Sequence, residues 1–122
     1  METIEFRGKR YSDEGSWEYG DLCRHKDGAW TINPLYDEDF GYVVNPKTVG
    51  QFTGLFDRNG TKIYEGDIIA DSNNTMYVCV FEHGCFVFRD KDGRSIANPI
   101  ATISVIVGNI FENKDLMKGE TT

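Results

Sequence analysis

The stretch at residues 49–69, VGQFTGLFDRNGTKIYEGDII, constrains the fold more than any other part of the chain. Two apolar segments rich in β-branched and aromatic residues flank Asp57-Arg58-Asn59-Gly60, and the second arrives at Glu65-Gly66-Asp67. Asn-Gly between such runs predicts a β-hairpin closed by a type I′ turn, in which Asn59 and Gly60 both take positive φ. A further strand is expected from Gly66 through Ala70. The pattern specifies architecture and carries no chemistry of its own.

Composition extends that reading to the whole chain. Aromatics make up 13% of the 122 residues and glycine numbers 13, which favours short strands and tight turns over long helices. The length fits a single domain, residues 1–122, with a modest core. The net charge of −7 repels phosphate backbones and so disfavours nucleic acid as a partner. Cys23, Cys79 and Cys85 are too few for a disulfide framework, and no apolar leader begins the chain, so a cytoplasmic location is expected. No stretch approaches the roughly 18 apolar residues of a membrane span.

In chain order, residues 3–10 read as a strand with Ile4 and Phe6 on one face, and WEYGDLCRH as a second strand after a polar turn around Gly15. Asp27-Gly28 turns the chain into the return strand Ala29-Trp30-Thr31-Ile32, which completes an amino-terminal meander over residues 1–33. Pro34, Pro46 and the acidic run Asp37-Glu38-Asp39 mark a joint, with Tyr42-Val43-Val44 a short strand inside it. Residues 48–122 form the central barrel and a short carboxy-terminal helix. In MYVCVF, Met76, Val78 and Val80 share one face and Tyr77, Cys79 and Phe81 the other, so both faces are apolar. A closed barrel, the amino-terminal hairpins or a second copy of the chain must cover one of them. Residues 103–107 make the last strand, and Asn113 caps the final helix through its side chain.

Two flanking patterns join the central stretch in a family likeness. TVGQFTGLFDRNGTKIYEGDII resembles the hallmark block of the YopX family of phage and prophage proteins, usually a VGQYTGL segment, an acidic turn with Asn-Gly, and IYEGDI. IEFRGKR followed by GSWEYGDL is similar to the family's FRGK and GxWxYGxL patterns, and VIVGNIFENKDLM to its closing VIGNIYENPELL. Phe52, Phe111 and Lys114 depart from the usual Tyr, Tyr and Pro. Lys114 removes a proline that would favour the helix start. The resemblance implies a small phage or prophage protein in a bacterial cytoplasm with an SH3-like or barrel-like antiparallel centre, and it brings no biochemical activity with it.

The residues offer few chemical constellations. Glu65 and Asp67 lie two apart on a strand, the spacing of an acid and base pair, but Gly66 between them and the strand start favour a structural carboxylate. Gly50, Gly54 and Gly60 are turn or close-packing glycines, spaced too irregularly for a phosphate cradle. Cys23, His25, His83, Cys85 and Cys79 lack zinc-site spacing, so no metal and no cofactor are expected. No nucleophile setting is present, and an enzyme is not expected. The binding candidates are Tyr77, Phe81, Phe86 and Phe88 with Arg89 and Arg94, an aromatic hairpin suited to core packing, to a subunit contact or to base stacking. These readings favour a noncatalytic accessory protein, a homo-oligomer that binds a host or phage protein. The alternatives are a small-molecule or nucleotide-sequestering protein and a single-strand nucleic-acid binder.

Overall fold

The structure, a computed structural model, describes residues 4–12, 15–35 and 40–118. It is mainly β, with two antiparallel sheets and two short 3-10 helices. The chain divides into two compact units, Met1–Phe52 and Thr53–Thr122. The acidic run Asp37-Glu38-Asp39, Thr3 at the start of the first expected strand, and residues 119–122 lie outside the described residues.

In the first unit, β1 (Phe6–Lys9), β2 (Trp17–Arg24) and β3 (Trp30–Asn33) are the expected meander, and Asp27-Gly28 closes its second hairpin. Ile4 precedes β1 and is exposed rather than sharing a buried strand face with Phe6. β4 (Tyr42–Phe56) runs the short strand expected at Tyr42-Val43-Val44 into the first arm of the central hairpin, because Pro46 does not end it. Pro46 sits in a register shift between Arg7 and Lys9 of β1, where Asn45 Oδ1 accepts the Lys47 amide and the Thr48 hydroxyl accepts the Lys9 amide. A bulge of this kind is where a strand tolerates a residue that cannot donate. β1 pairs with β2 and with β4, while β3 pairs with the same two strands, so the four close a ring. Ile32 and Val44 are fully buried there. Gly8 completes the packing, since a Cβ on it would meet Val44 Cγ2 at 2.8 Å.

Ring closure was expected within residues 48–122, yet it occurs here, in the first 52 residues. The second unit instead contains an open five-stranded sheet in the order β10-β6-β7-β8-β9. Its strands are β6 (Asp67–Ala70), β7 (Met76–Glu82), β8 (Cys85–Arg89), β9 (Ser95–Ile96) and β10 (Val105–Asn109). The end of β4 and β5 (Lys62–Tyr64) form the hairpin that precedes it. Ile63, Ile69, Tyr77, Cys79, Phe88 and Ala101 make the core, with Leu55, Phe86, Ile96, Ile100 and Ile106 packed against them. Ala101 comes from a 3-10 helix, Asn98–Ile103, that the sequence reading did not expect; its Pro99 stands at the helix start. The terminal helix, Lys114–Lys118, is likewise 3-10 and lies against β7.

The hairpin at residues 57–60 departs from the expected type I′ form. Gly60 has φ of 82°, but Asn59 is not among the residues with positive φ. Asp57 accounts for the difference, because its Oδ1 accepts the amides of Asn59 and Thr61, both at 2.9 Å. Gly60 then donates to the Asp57 carbonyl, giving a type I turn followed by one left-handed residue. The same device recurs at Asp71 and at Asp90, where Asn74 and Gly93 supply the left-handed position. Three of the turns in this unit are thus built on one aspartate each.

Candidate functional site: the aromatic hairpin

β7 and β8 pair in register from Val78↔Arg89 to Glu82↔Cys85, leaving a two-residue turn of His83 and Gly84. Their φ values are 53° and 82°, so the type I′ turn of this chain lies here and not at Asn59-Gly60. Histidine takes the left-handed region at a cost that asparagine largely avoids. His83→Asn is expected to raise stability by up to about 1 kcal/mol, read as a higher urea midpoint at unchanged slope.

The register places Tyr77, Cys79 and Phe81 of β7 on the same face as Phe86 and Phe88 of β8. That face is the core face, which decides what its aromatics can do. Phe88 is fully buried, Tyr77 is buried, and Phe86 packs against the core cluster. A stacking platform of four rings open to bases is therefore not what these residues form. Phe81 alone is exposed, at 51%, and its ring meets Phe86 edge-on with centroids 4.9 Å apart.

The opposite face carries Met76, Val78, Val80 and Glu82 of β7 beside Val87 and Arg89 of β8. Arg89 forks onto the Glu82 carboxylate through Nε and Nη2, and its Nη1 donates to the Gly93 carbonyl at 2.6 Å. Three of the five N–H donors of this guanidinium are thus already spent on partners within the protein. Arg94 is exposed, and its amide donates to Asp90 Oδ1. Ile68, on this second face of the sheet, is fully buried.

Tyr77 reaches from the core to the Asp71 turn, where its hydroxyl donates to Oδ2 at 3.1 Å. Burial first, and then the Asp71 carboxylate, push its phenol above the ordinary value of 10.0. A folded pKa above the unfolded one favours the neutral form in the fold, so this contribution is complete below about pH 10 and disappears as pH rises through the folded value. Wild-type protein is expected to lose stability above that pH more steeply than Tyr77→Phe, measured by urea denaturation across the alkaline range.

The conspicuous motif residues are joined to one another. Asp67 is buried and its Oδ2 accepts the Tyr64 amide at 2.8 Å, while Glu65 lies half-buried in the turn before it. Gly66, with φ of 96°, sits under the Phe111 ring, and its carbonyl accepts the Ile110 amide. Gly50 is buried in β4 opposite Arg7, and Gly54 takes φ of 84° within the same strand. Asn113 was expected to cap the last helix through its side chain. Its Oδ1 instead turns back to accept the Asn109 amide, over Gly108, where a Cβ would meet it at 2.5 Å. Asn109 Oδ1 accepts the amides of Phe111 and Glu112 in turn. This network escaped the sequence reading, although two asparagines four apart beside a glycine were its signal.

Among the described residues, no group of three His, Cys, Asp or Glu side chains is placed to hold a metal ion. Cys79 belongs to the core, and His25 Nε2 is 2.9 Å from the Thr31 hydroxyl. Cys23 and His25 lie in the first unit, His83 and Cys85 in the second.

The sequence profile of the YopX family, described as YopX protein, matches residues 2–118. The chain belongs to the YopX family. The match runs through every block that carried the likeness, from IEFRGKR to VIVGNIFENKDLM. No curated protein matches the chain. In this YopX protein the EGDI and GNIFEN segments are therefore structural partners, meeting where Phe111 covers Gly66.

Proposed function

We propose that this YopX-family protein is a noncatalytic phage or prophage accessory protein that acts in the bacterial cytoplasm by binding a protein, of host or phage origin, as a homo-oligomer. The observation that carries the reading is Phe81, an exposed aromatic beside a tight two-residue turn and braced edge-on by Phe86. A rigid aromatic with a buried core beneath it is the type of residue that dominates protein interfaces. Nucleic acid fits less well, because Arg89 is engaged by Glu82 and the net charge is −7. Among the described residues, no helix is long and apolar enough to cross a membrane.

The test is affinity capture from host lysate, with and without phage infection, using wild type and Phe81→Asp. A protein recovered by wild type and weakened at least about tenfold by the substitution supports the reading. Capture unaffected at Phe81, binding of single strands that falls steeply with salt, or thermal stabilisation by a nucleotide alone would overturn it.

A further inference from the structure

We infer that Asn59 is a site of spontaneous backbone modification, where the amide is lost and the hairpin at the centre of the family motif is converted to an aspartyl and isoaspartyl mixture. Loss of an asparagine amide requires the next residue's backbone nitrogen to reach the side-chain carbonyl carbon. Asn33, Asn45 and Asn98 precede proline, which has no N–H, and so are closed to this route. Asn73, Asn74, Asn109 and Asn113 precede Asn, Thr, Ile and Lys, whose side chains crowd the approach. Asn59 alone precedes glycine.

The fold adds three conditions to that spacing. Asn59 and Gly60 are both exposed, and nothing lies within 4 Å of where a Cβ on Gly60 would stand. The carboxamides of Asn109 and Asn113 are tied into hydrogen bonds, whereas Asn59 is held through its backbone amide, which donates to Asp57 Oδ1. Gly60 N–H donates to the Asp57 carbonyl at 2.9 Å, so that bond must open before attack. The folded turn slows the reaction without blocking it.

The step balances with water as the only co-reactant. Gly60 N loses its proton and bonds to Asn59 Cγ; the Cγ–Nδ2 bond breaks and Nδ2 leaves with the proton as ammonia. Water then opens the five-membered imide at either carbonyl, giving an ordinary aspartyl linkage at position 59 or its iso form. The iso product routes the main chain through the side chain, which removes the geometry that Asp57 Oδ1 holds at residues 59 and 61.

The experiment ages the folded full chain in mildly alkaline buffer at physiological temperature, then maps peptides by mass and labels iso linkages with an isoaspartyl methyltransferase. Conversion at Asn59 is expected to exceed that at any other asparagine by roughly tenfold, since only glycine leaves the approach open. Asn59→Gln should lose both the mass change and the label at this turn. A parallel sample unfolded in urea should convert faster, because the Gly60 bond to Asp57 is gone. Equal conversion at Asn59 and Asn113 in the folded protein, or conversion confined to the unfolded sample, would overturn the inference.

Discussion

Phe88→Ala is expected to destabilise the protein by about 3–5 kcal/mol, the cost of removing a fully enclosed aromatic side chain from a core that cannot collapse around the gap. Phe88 is enclosed by residues of the core cluster, including Cys79 directly across the β7–β8 ladder. Phe81→Ala, two pairs along the same face, should cost about 1 kcal/mol or less, most of it the edge contact with Phe86. Urea titration of both variants separates the roles of two phenylalanines that the sequence presents alike. Equal losses would mean that Phe81 belongs to the core and would remove the basis of the proposed interface.

Asp57→Ala should cost about 2–4 kcal/mol, because one buried carboxylate serves three backbone amides. Two of these lie in its own turn, where water can replace the carboxylate. The third is the amide of Ile106 on β10, held by Oδ2 at 3.0 Å across 49 residues of sequence. Asp90 builds the same turn with only its own turn amides, and Asp71 adds the Tyr77 hydroxyl six residues away, a bond that an exposed turn can exchange for water. Asp71→Ala and Asp90→Ala should therefore cost about 0.5–1.5 kcal/mol, and Asp57→Asn should recover part of the Asp57→Ala loss. Denaturation of the three alanine variants side by side checks the ranking, and losses of one size at all three turns would show the Ile106 bond to be unimportant.

The legible part of this molecule is local. The apolar, β-branched and aromatic runs in WEYGDLCR and MYVCVFE, with Asp-Gly and Asn-Gly as turn signals, marked the positions of strands and turns, because strand preference and turn chemistry depend on neighbours only a few residues away. The turn at residues 57–60 was found in the right place with the wrong geometry. Asn-Gly prefers one turn type, but the Asp57 carboxylate, two residues earlier, held Asn59 in another. Pro46 misled for a similar reason: it reads as a strand end unless the partner strand is known to accept a bulge.

The candidate site was legible as a location and not as a surface. The sequence placed Tyr77, Phe81, Phe86 and Phe88 on two adjacent strands, and the register then sets them on one face. Which of them water reaches depends on Ile63, Ile69 and Ala101, residues from three other elements that share one buried cluster with Tyr77 and Phe88, a cluster to which Phe81 does not belong. Arg89 stands among the binding candidates in the sequence for the same reason, since its bond to Glu82 exists only once β7 and β8 pair.

By itself, then, the stretch at residues 49–69 and its flanks determined the family, the all-β class and the spacing of the turns, all of which follow from short-range preference. Tertiary structure alone decided that the ring closes in the first 52 residues, and that Gly66 and Asp67 meet the GNIFEN segment through Phe111, Ile110 and Asn109. It alone decided, too, that a single phenylalanine of the aromatic hairpin faces solvent. Such outcomes depend on which distant strands pair and which side chains cover a face. Burial and long-range hydrogen bonding set these, and neither has a signature in the order of adjacent residues.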